Sequence, residues 1–327
     1  MDPAMMKKLY LVSGRANPAL AEDIAAHLGV RLGEPNLSNF ANGELHCRYS
    51  ESVRGKDVFI IQSHGAVDGN SLNDALMEHL IMVDAAKRAS AKSITAVMPF
   101  FGYARQDRKA EGREPITAKL VANMFEAAGA DRLMSVDLHS GQIQGFSDSP
   151  FDHLVAMPVL VDYLTSRLAD DLVVVSPDAG RVKVAERYAN ALHADLAIVH
   201  KRRVRGAKNA VEAKEVVGQV DGRTCVLIDD MIDTGGTIVA AAEQLKERGA
   251  REVCAAATHG VLSGPAIDRL KNSVITKLVV TDTLPLPADK QIDKIEVLSI
   301  ARVIADAIDA VFEETSVSEI FGGANQT

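Results

Sequence analysis

The chain has little cysteine and no long apolar run. Only Cys47, Cys225 and Cys254 occur in 327 residues, far apart and without a C-x-x-C pair. That argues against a disulfide frame or a cysteine zinc site, and for a reducing, cytoplasmic setting. No apolar stretch approaches the roughly 18 residues of a membrane-spanning helix, so no membrane role is expected. The opening Met1-Asp-Pro-Ala-Met-Met-Lys-Lys8 is too short and too polar for a signal peptide. Positive charge is not in excess either. Lys and Arg number 36 against 44 Asp and Glu, a net charge of −8, which argues against wholesale nucleic-acid binding. A G-x-x-x-x-G-K-[ST] string is absent, which excludes a P-loop route to a nucleotide. No low-complexity linker divides the chain.

The composition, 47% hydrophobic and 24% charged, is that of a globular protein with ample core. At roughly 100–200 residues per domain, the length predicts two domains. Apolar runs and helical periodicity alternate along the chain. In the first half strands are expected at 9–12, 57–62, 93–98 and 132–137, with helices at 18–28, 71–89 and 117–128. The second half repeats the rhythm: helix 158–169, strand 172–176, helix 180–192, strand 196–199, loop 201–216, strand 225–229, helix 237–249 and strand 252–258. This alternation predicts an α/β fold around mainly parallel sheets. Met134-Ser-Val-Asp-Leu-His-Ser-Gly141 weakly echoes Val226-Leu-Ile-Asp-Asp-Met-Ile-Asp-Thr-Gly235, as if the two halves were similar domains. The boundary falls near Pro150 and Pro158, giving 7–155, 156–310 and a tail 311–327 expected to pack back on the N-terminal domain.

The richest segment is Val226-Leu-Ile-Asp-Asp-Met-Ile-Asp-Thr-Gly-Gly-Thr237. A short buried strand, Cys225 to Ile228, is stopped by the adjacent acids Asp229 and Asp230. Asp233-Thr-Gly-Gly-Thr237 then leads into a helix ending at Gly249. Backbone N–H groups, the positive helix end and the hydroxyls of Thr234 and Thr237 suit a phosphate, and Gly235 and Gly236 let it approach. Carboxylates repel phosphate, so the acids suit ribose hydroxyls or a hydrated Mg2+. Two further stretches concentrate cations. Arg105, Arg108 and Lys109 follow Pro99-Phe-Phe-Gly-Tyr103, a loop that reads either as a nucleotide site or as a solvated charged loop. Lys201, Arg202, Arg203, Arg205 and Lys208 form a basic loop that composition alone leaves solvated.

VLIDDMIDTGGT resembles the 5-phosphoribosyl diphosphate (PRPP) motif of the type I phosphoribosyltransferase fold. Phe40-Ala-Asn-Gly-Glu44, Tyr103-Ala-Arg-Gln-Asp-Arg-Lys109, Asp137-Leu-His-Ser-Gly-Gln-Ile-Gln-Gly145, Ser176-Pro-Asp178 and His200-Lys-Arg-Arg203 extend the resemblance to ribose-phosphate diphosphokinases, the PRPP synthetases, of the phosphate-activated class I type. It covers about Leu9 to Phe321. It implies two similar phosphoribosyltransferase-like domains, each a mainly parallel sheet flanked by helices. It also implies Mg2+-dependent transfer of the diphosphoryl group of ATP to ribose 5-phosphate in a homo-oligomer, a hexamer.

On the same resemblance, Lys201 and Arg203 form the catalytic pair of a flap over the reacting phosphates. ATP meets Arg105, Gln106, Asp107 and His139, with Phe40, Asn42, Gly43 and Glu44 reaching it from a neighbouring subunit. Ribose 5-phosphate lies on Asp229, Asp230, Asp233, Thr234, Gly235, Gly236 and Thr237, with Arg203. His139 and Asp178 match metal ligands, although Mg2+ chemistry alone would favour Asp178. Ser52, Arg54, Gln144, Asp152, Ser316 and Ser318 match a regulatory site for inorganic phosphate or ADP. Ser147, Ser149, His153 and Arg181 depart from the family's pattern. Two other readings are a PRPP-consuming phosphoribosyltransferase, which needs no ATP loop, and a non-catalytic relative, which should have lost its flap cations.

Overall fold

The computed structural model describes residues 8–67, 69–167, 171–203 and 212–322, with backbone alone at 201–203 and 212–214. The chain forms two compact units. The first comprises residues up to 155 together with 283–285 and everything from 299 onward, and the second comprises 156–282 and 286–298.

In the first unit the elements run β1 (Leu9–Ser13), α1 (Pro18–Leu28), β2 (Leu32–Gly33), β3 (Asn36–Asn39), β4 (Leu45–Arg48), β5 (Asp57–Ile61), α2 (Leu72–Arg88), β6 (Ser93–Met98), α3 (Thr117–Ala128), β7 (Arg132–Val136) and β8 (Phe151–Leu154). Six strands make an all-parallel sheet, β2-β1-β5-β6-β7-β8, while β3 and β4 form a separate antiparallel hairpin. Strands such as Val58-Phe-Ile-Ile61 are buried throughout, as a sheet covered on both faces requires. Helix starts follow the local chemistry. Pro18 opens α1 after Asn17, whose side chain accepts the Leu20 N–H, and Ser71 with Asp74 closes a reciprocal capping box on α2.

The second unit contains α4 (Met157–Arg167), β9 (Leu172–Ser176), α5 (Val182–Leu192), β10 (Asp195–Arg203), β11 (Glu212–Val217), β12 (Thr224–Ile232), α6 (Gly236–Glu247), β13 (Glu252–Gly260), α7 (Ala266–Asn272), β14 (Lys277–Thr281) and β15 (Ile295–Leu298). Its sheet is ordered β11-β10-β9-β12-β13-β14-β15, parallel except for the β10–β11 pair. The last helix, α8 (Ala301–Phe312), belongs to the first unit, where its buried Ala301, Val303, Ile304 and Ile308 face the α1 side. A 3-10 turn at Val317–Phe321 follows and packs on α8.

Four expectations need correction. The strand at 225 does not stop at the acids: β12 continues to Ile232, because Asp229, Met231 and Ile232 stay in register with β13. Residues 201–203 and 212–216 are not loop, since β10 and β11 pair as an antiparallel hairpin with Lys201 opposite Lys214 and Arg203 opposite Glu212. Residues 301–310 belong with the first unit rather than the second, through the apolar face α8 presents to α1. Finally, the strand equivalent to β12 by sheet order is β5, not β7, so the weak echo between 134–141 and 226–235 is not a structural correspondence.

Beneath the loop that follows β6 lies a buried histidine pair. His64 stacks on Phe125, with ring centroids 5.7 Å apart, and His79 meets the same ring edge-on at 4.8 Å. His64 Nδ1 accepts the Gly102 N–H at 3.1 Å, so its proton sits on Nε2, 3.2 Å from His79 Nδ1. Burial pushes His64 down to about 3, and burial together with the charge of His64 holds His79 well below the ordinary range. Both groups are neutral when folded and bind protons more readily unfolded. Stability is therefore full above about pH 6.5 and falls as pH drops toward the folded values. Between pH 6.5 and 5 the loss is about 2 kcal/mol per histidine. Urea unfolding of His64→Gln, which keeps an acceptor for Gly102, should show a shallower loss over that window than the parent. An unchanged slope would show that His64 is not buried neutral.

Candidate active site

In the second unit the strand order reverses between β9 and β12, the position at the carboxyl ends of the strands where open α/β sheets bind their ligands. β9 pairs with β12 only as far as Leu227, so Ile228 to Ile232 keep β13 on one side alone. Asp229 and Asp230 fall in this one-sided extension. Asp230 is buried and Asp229 half-buried. Arg181, in the turn after β9, spans both: its Nε lies 3.3 Å from Asp229 Oδ1 and its Nη2 2.6 Å from Asp230 Oδ2. Burial raises the Asp229 carboxyl, the charge of Asp230 raises it further, and the Arg181 guanidinium opposes both.

Beyond Ile232 the backbone turns through Asp233 and Thr234 to Gly235, whose φ of +73° places it in the left-handed region that glycine enters at least cost. α6 starts at Gly236, so its first N–H groups and the Thr237 hydroxyl surround the turn, which fits the phosphate-cradle reading. The Ser263 N–H ties the Asp233 carbonyl at 2.9 Å. Arg269 on α7 donates to the Thr234 carbonyl at 3.0 Å. In a trans peptide this aims the Gly235 N–H the opposite way. The segment expected to form the flap falls on the antiparallel β10–β11 pair, with Lys201 and Arg203 at the end of β10; Arg205 and Lys208 lie outside the described residues.

In the first unit Arg105 and Gln106 are exposed on the loop after β6. Gln106 is fixed by accepting from Thr117 Oγ1 at 2.5 Å, and its carbonyl accepts the Ala118 N–H at the start of α3. Asp107 is buried, and its Oδ2 accepts Ser140 Oγ at 2.5 Å and Gln142 Nε2 at 2.9 Å. That joins the loop to the segment bearing His139. Asp137, at φ +38°, turns the chain out of β7, and His153 Nε2 accepts the Leu138 N–H at 3.0 Å. Phe40 to Glu44 form the tip of the β3–β4 hairpin. The Phe40 N–H bonds the Glu44 carbonyl, Asn42 Oδ1 accepts the Glu44 N–H, Gly43 has φ +91°, and the Phe40 ring is 56% exposed.

Comparison with known proteins decides the family. Residues 9–129 match the family described as the N-terminal domain of ribose phosphate pyrophosphokinase, and residues 205–322 match the phosphoribosyl synthetase-associated domain. The sequence is 57% identical to a ribose-phosphate pyrophosphokinase of Streptomyces avermitilis over 96% of each chain. It is 56% identical to one of Bifidobacterium longum, over 96% of this chain and 93% of that one. The crystal structure of phosphoribosylpyrophosphate synthetase from Mycobacterium smegmatis superposes with a TM-score of 0.88 at 52% identity, covering 94% of this chain and 99% of the other. The chain belongs to the ribose-phosphate pyrophosphokinase family and is an enzyme.

As a ribose-phosphate pyrophosphokinase it raises the question of a metal. Among the described residues no group of three or more His, Cys, Asp or Glu side chains could hold an ion unaided. Mg2+ that keeps its waters and sits on substrate phosphates asks for only one or two carboxylates. Asp178 fits, since the Gly180 N–H takes its Oδ1 and leaves Oδ2. Asp229 Oδ2 offers the same chemistry, whereas His139 is a nitrogen donor on the first unit.

The six residues of the expected regulatory site are joined by no hydrogen bond or ion pair to one another among the described residues. Ser52 and Arg54 lie exposed before β5, Gln144 bonds the Gly141 carbonyl, Asp152 on β8 is paired with Arg132 at 2.6 Å, Ser316 is exposed and Ser318 half-buried. The sequence departures find uses elsewhere. Ser147 Oγ and the Ser149 N–H both bond Glu126, His153 supports the turn before His139, and Arg181 engages the ribose-side acids. Sequence reading missed Arg181 as a site residue and Arg269 altogether. Their signal is spatial, because each comes from a different βα connection.

Asp107→Ala should destabilise the protein by about 1–3 kcal/mol, the cost of leaving buried donors unpaired. Thermal unfolding checks this, and an unchanged melting temperature would show that the tie to Ser140 and Gln142 does not form in solution.

Proposed function

We propose that this pyrophosphokinase transfers the diphosphoryl group of ATP to the C1 hydroxyl of ribose 5-phosphate, giving PRPP and AMP for nucleotide biosynthesis. The observation that carries the reading is the Asp229-to-Thr237 arrangement at the strand-order reversal: hydroxyl-accepting carboxylates followed by an anion-binding helix start, in a chain of this family. The 5-phosphate rests on the N–H groups of 234–237, and Asp229 accepts from the ribose hydroxyls. The C1 oxygen attacks the β-phosphorus, the bond to the α-phosphate oxygen breaks, and AMP leaves. Mg2+, when bound at Asp178 or Asp229, supplies charge neutralisation to the phosphates. Lys201 and Arg203 stabilise the charge that develops in transfer, and Arg105 and Gln106 hold ATP. His139 lies beside them on the segment Asp107 secures. Positioning and electrostatics do most of the work, as is usual for phosphoryl transfer.

We place the reaction in the cytoplasm, in a homohexamer whose Phe40, Asn42, Gly43 and Glu44 complete a neighbour's ATP site, with inorganic phosphate and ADP as regulators. An exposed Phe40 ring at a hairpin tip supports such a shared site. A coupled assay of AMP release from ATP, with and without ribose 5-phosphate, tests the activity. Release that does not depend on ribose 5-phosphate would reject it.

Lys201→Ala should lower kcat by about 10^2–10^3 while leaving the KM for ATP nearly unchanged. A raised KM with kcat intact would make Lys201 a ground-state binding residue. Mixing Phe40→Ala with Lys201→Ala subunits should restore part of the activity, because a mixed interface rebuilds one intact site. If subunits demonstrably exchange and activity stays at the mutant level, the site is not shared.

A further inference from the structure

Two acids adjacent in sequence stand at the ribose side of the 233–237 loop, one buried and one half-buried. Two carboxyl groups this close and this sheltered need a donor that reaches both. Arg181 supplies it. Its side chain is 15% exposed and reaches Asp229 Oδ1 at 3.3 Å and Asp230 Oδ2 at 2.6 Å. The backbone adds to this, since the Asp230 N–H also bonds Asp229 Oδ1, at 2.9 Å. Both of these contacts on Asp229 fall on Oδ1. A ribose diol is neutral and cannot take the place of the guanidinium between the two acids.

Resting on the reading of 233–237 as the ribose 5-phosphate loop, we propose that Arg181 is a positioning residue for that substrate, bridging Asp229 and Asp230 so that the Asp229 carboxyl is held to accept a ribose hydroxyl. Arg181 stays in place when the sugar binds. Its partners explain the choice of residue. The fork of a guanidinium bridges two carboxylates, whereas an ammonium offers a single point of charge. The turn after β9 brings it there because β9 ends where β12 continues alone.

The test is calorimetric binding of ribose 5-phosphate to the full chain without ATP, paired with steady-state kinetics. Arg181→Gly should weaken ribose 5-phosphate binding by about tenfold, the scale of one charge-assisted hydrogen bond. The KM for ribose 5-phosphate should follow, with kcat and the KM for ATP little changed. Arg181→Lys should recover part of the affinity, and Arg181→Gln, uncharged but of similar length, should not. If Arg181→Gly melts early, the contrast of Lys with Gln decides. Unchanged affinity in Gly and Gln overturns the proposal. So does tighter binding, which would make Arg181 a competitor, or a fall in kcat alone, which would place it on the reacting phosphates. Thr237→Ala in the same experiment separates the two readings. If it leaves ribose 5-phosphate binding intact, the loop assignment fails, whereas an effect there with none at Arg181 removes only the clamp.

Discussion

The reversal of strand order between β9 and β12 is the constraint on which the second unit depends. Parallel strands deliver every βα connection to one edge of the sheet, and only where neighbouring connections leave on opposite faces does a gap remain between them. Asp178 and Arg181 follow one strand; Asp229, Asp230 and the phosphate loop belong to the next. Roughly fifty residues of sequence separate groups that touch. The longer reach of β12, held by β13 after β9 has stopped, lifts the acids to the rim of that gap.

The same reversal occurs in the first unit between β1 and β5, with a different outcome. There the turn after β1 supplies Arg15, whose backbone N–H and guanidinium both hold Glu78, while Gln62 bonds Glu78 at 2.9 Å and accepts the Ala16 N–H at 3.0 Å. A network of side chains lines a pocket at the position where the second unit presents an anion cradle. An arginine after the first strand meets an acid in both units. One pairing is internally satisfied, and the other leaves an oxygen for a ligand. The antiparallel segments differ as well. β10 lies in the main sheet at the place β2 holds in the first unit, while β3 and β4, with Phe40 at their tip, form a sheet of their own.

Much of this was legible in the sequence because buried parallel strands are nearly continuous apolar runs. Val58 to Ile61 and Cys225 to Ile228 mark themselves, as do the Ser71–Asp74 box and the Gly235–Gly236 turn. Short or polar strands did not. β3, β4 and the flap strands are built from residues such as Asn36, Ser38, Lys201 and Lys214, whose pairing is fixed by register and not by hydrophobic pattern. The end of β12 was misplaced because two aspartates look like a stop, although a single neighbouring strand suffices to carry them. Arg181 looked like a departure remote from chemistry, since nothing local links it to Asp229. Arg269 carries no motif at all.

α8 packs in the first unit, yet it follows every strand of the second unit in the chain. During synthesis the apolar side of α1 emerges early, with Leu20, Ile24 and Leu28 destined for burial, while Ile304 and Ile308 are still untranslated. The second unit has all of its strands made before that partner leaves the ribosome. The usual N-terminal-first order of folding therefore cannot be completed here. The first unit waits on residues 301–312, and a ribosome that stops short of residue 301 leaves the α1 side without this partner.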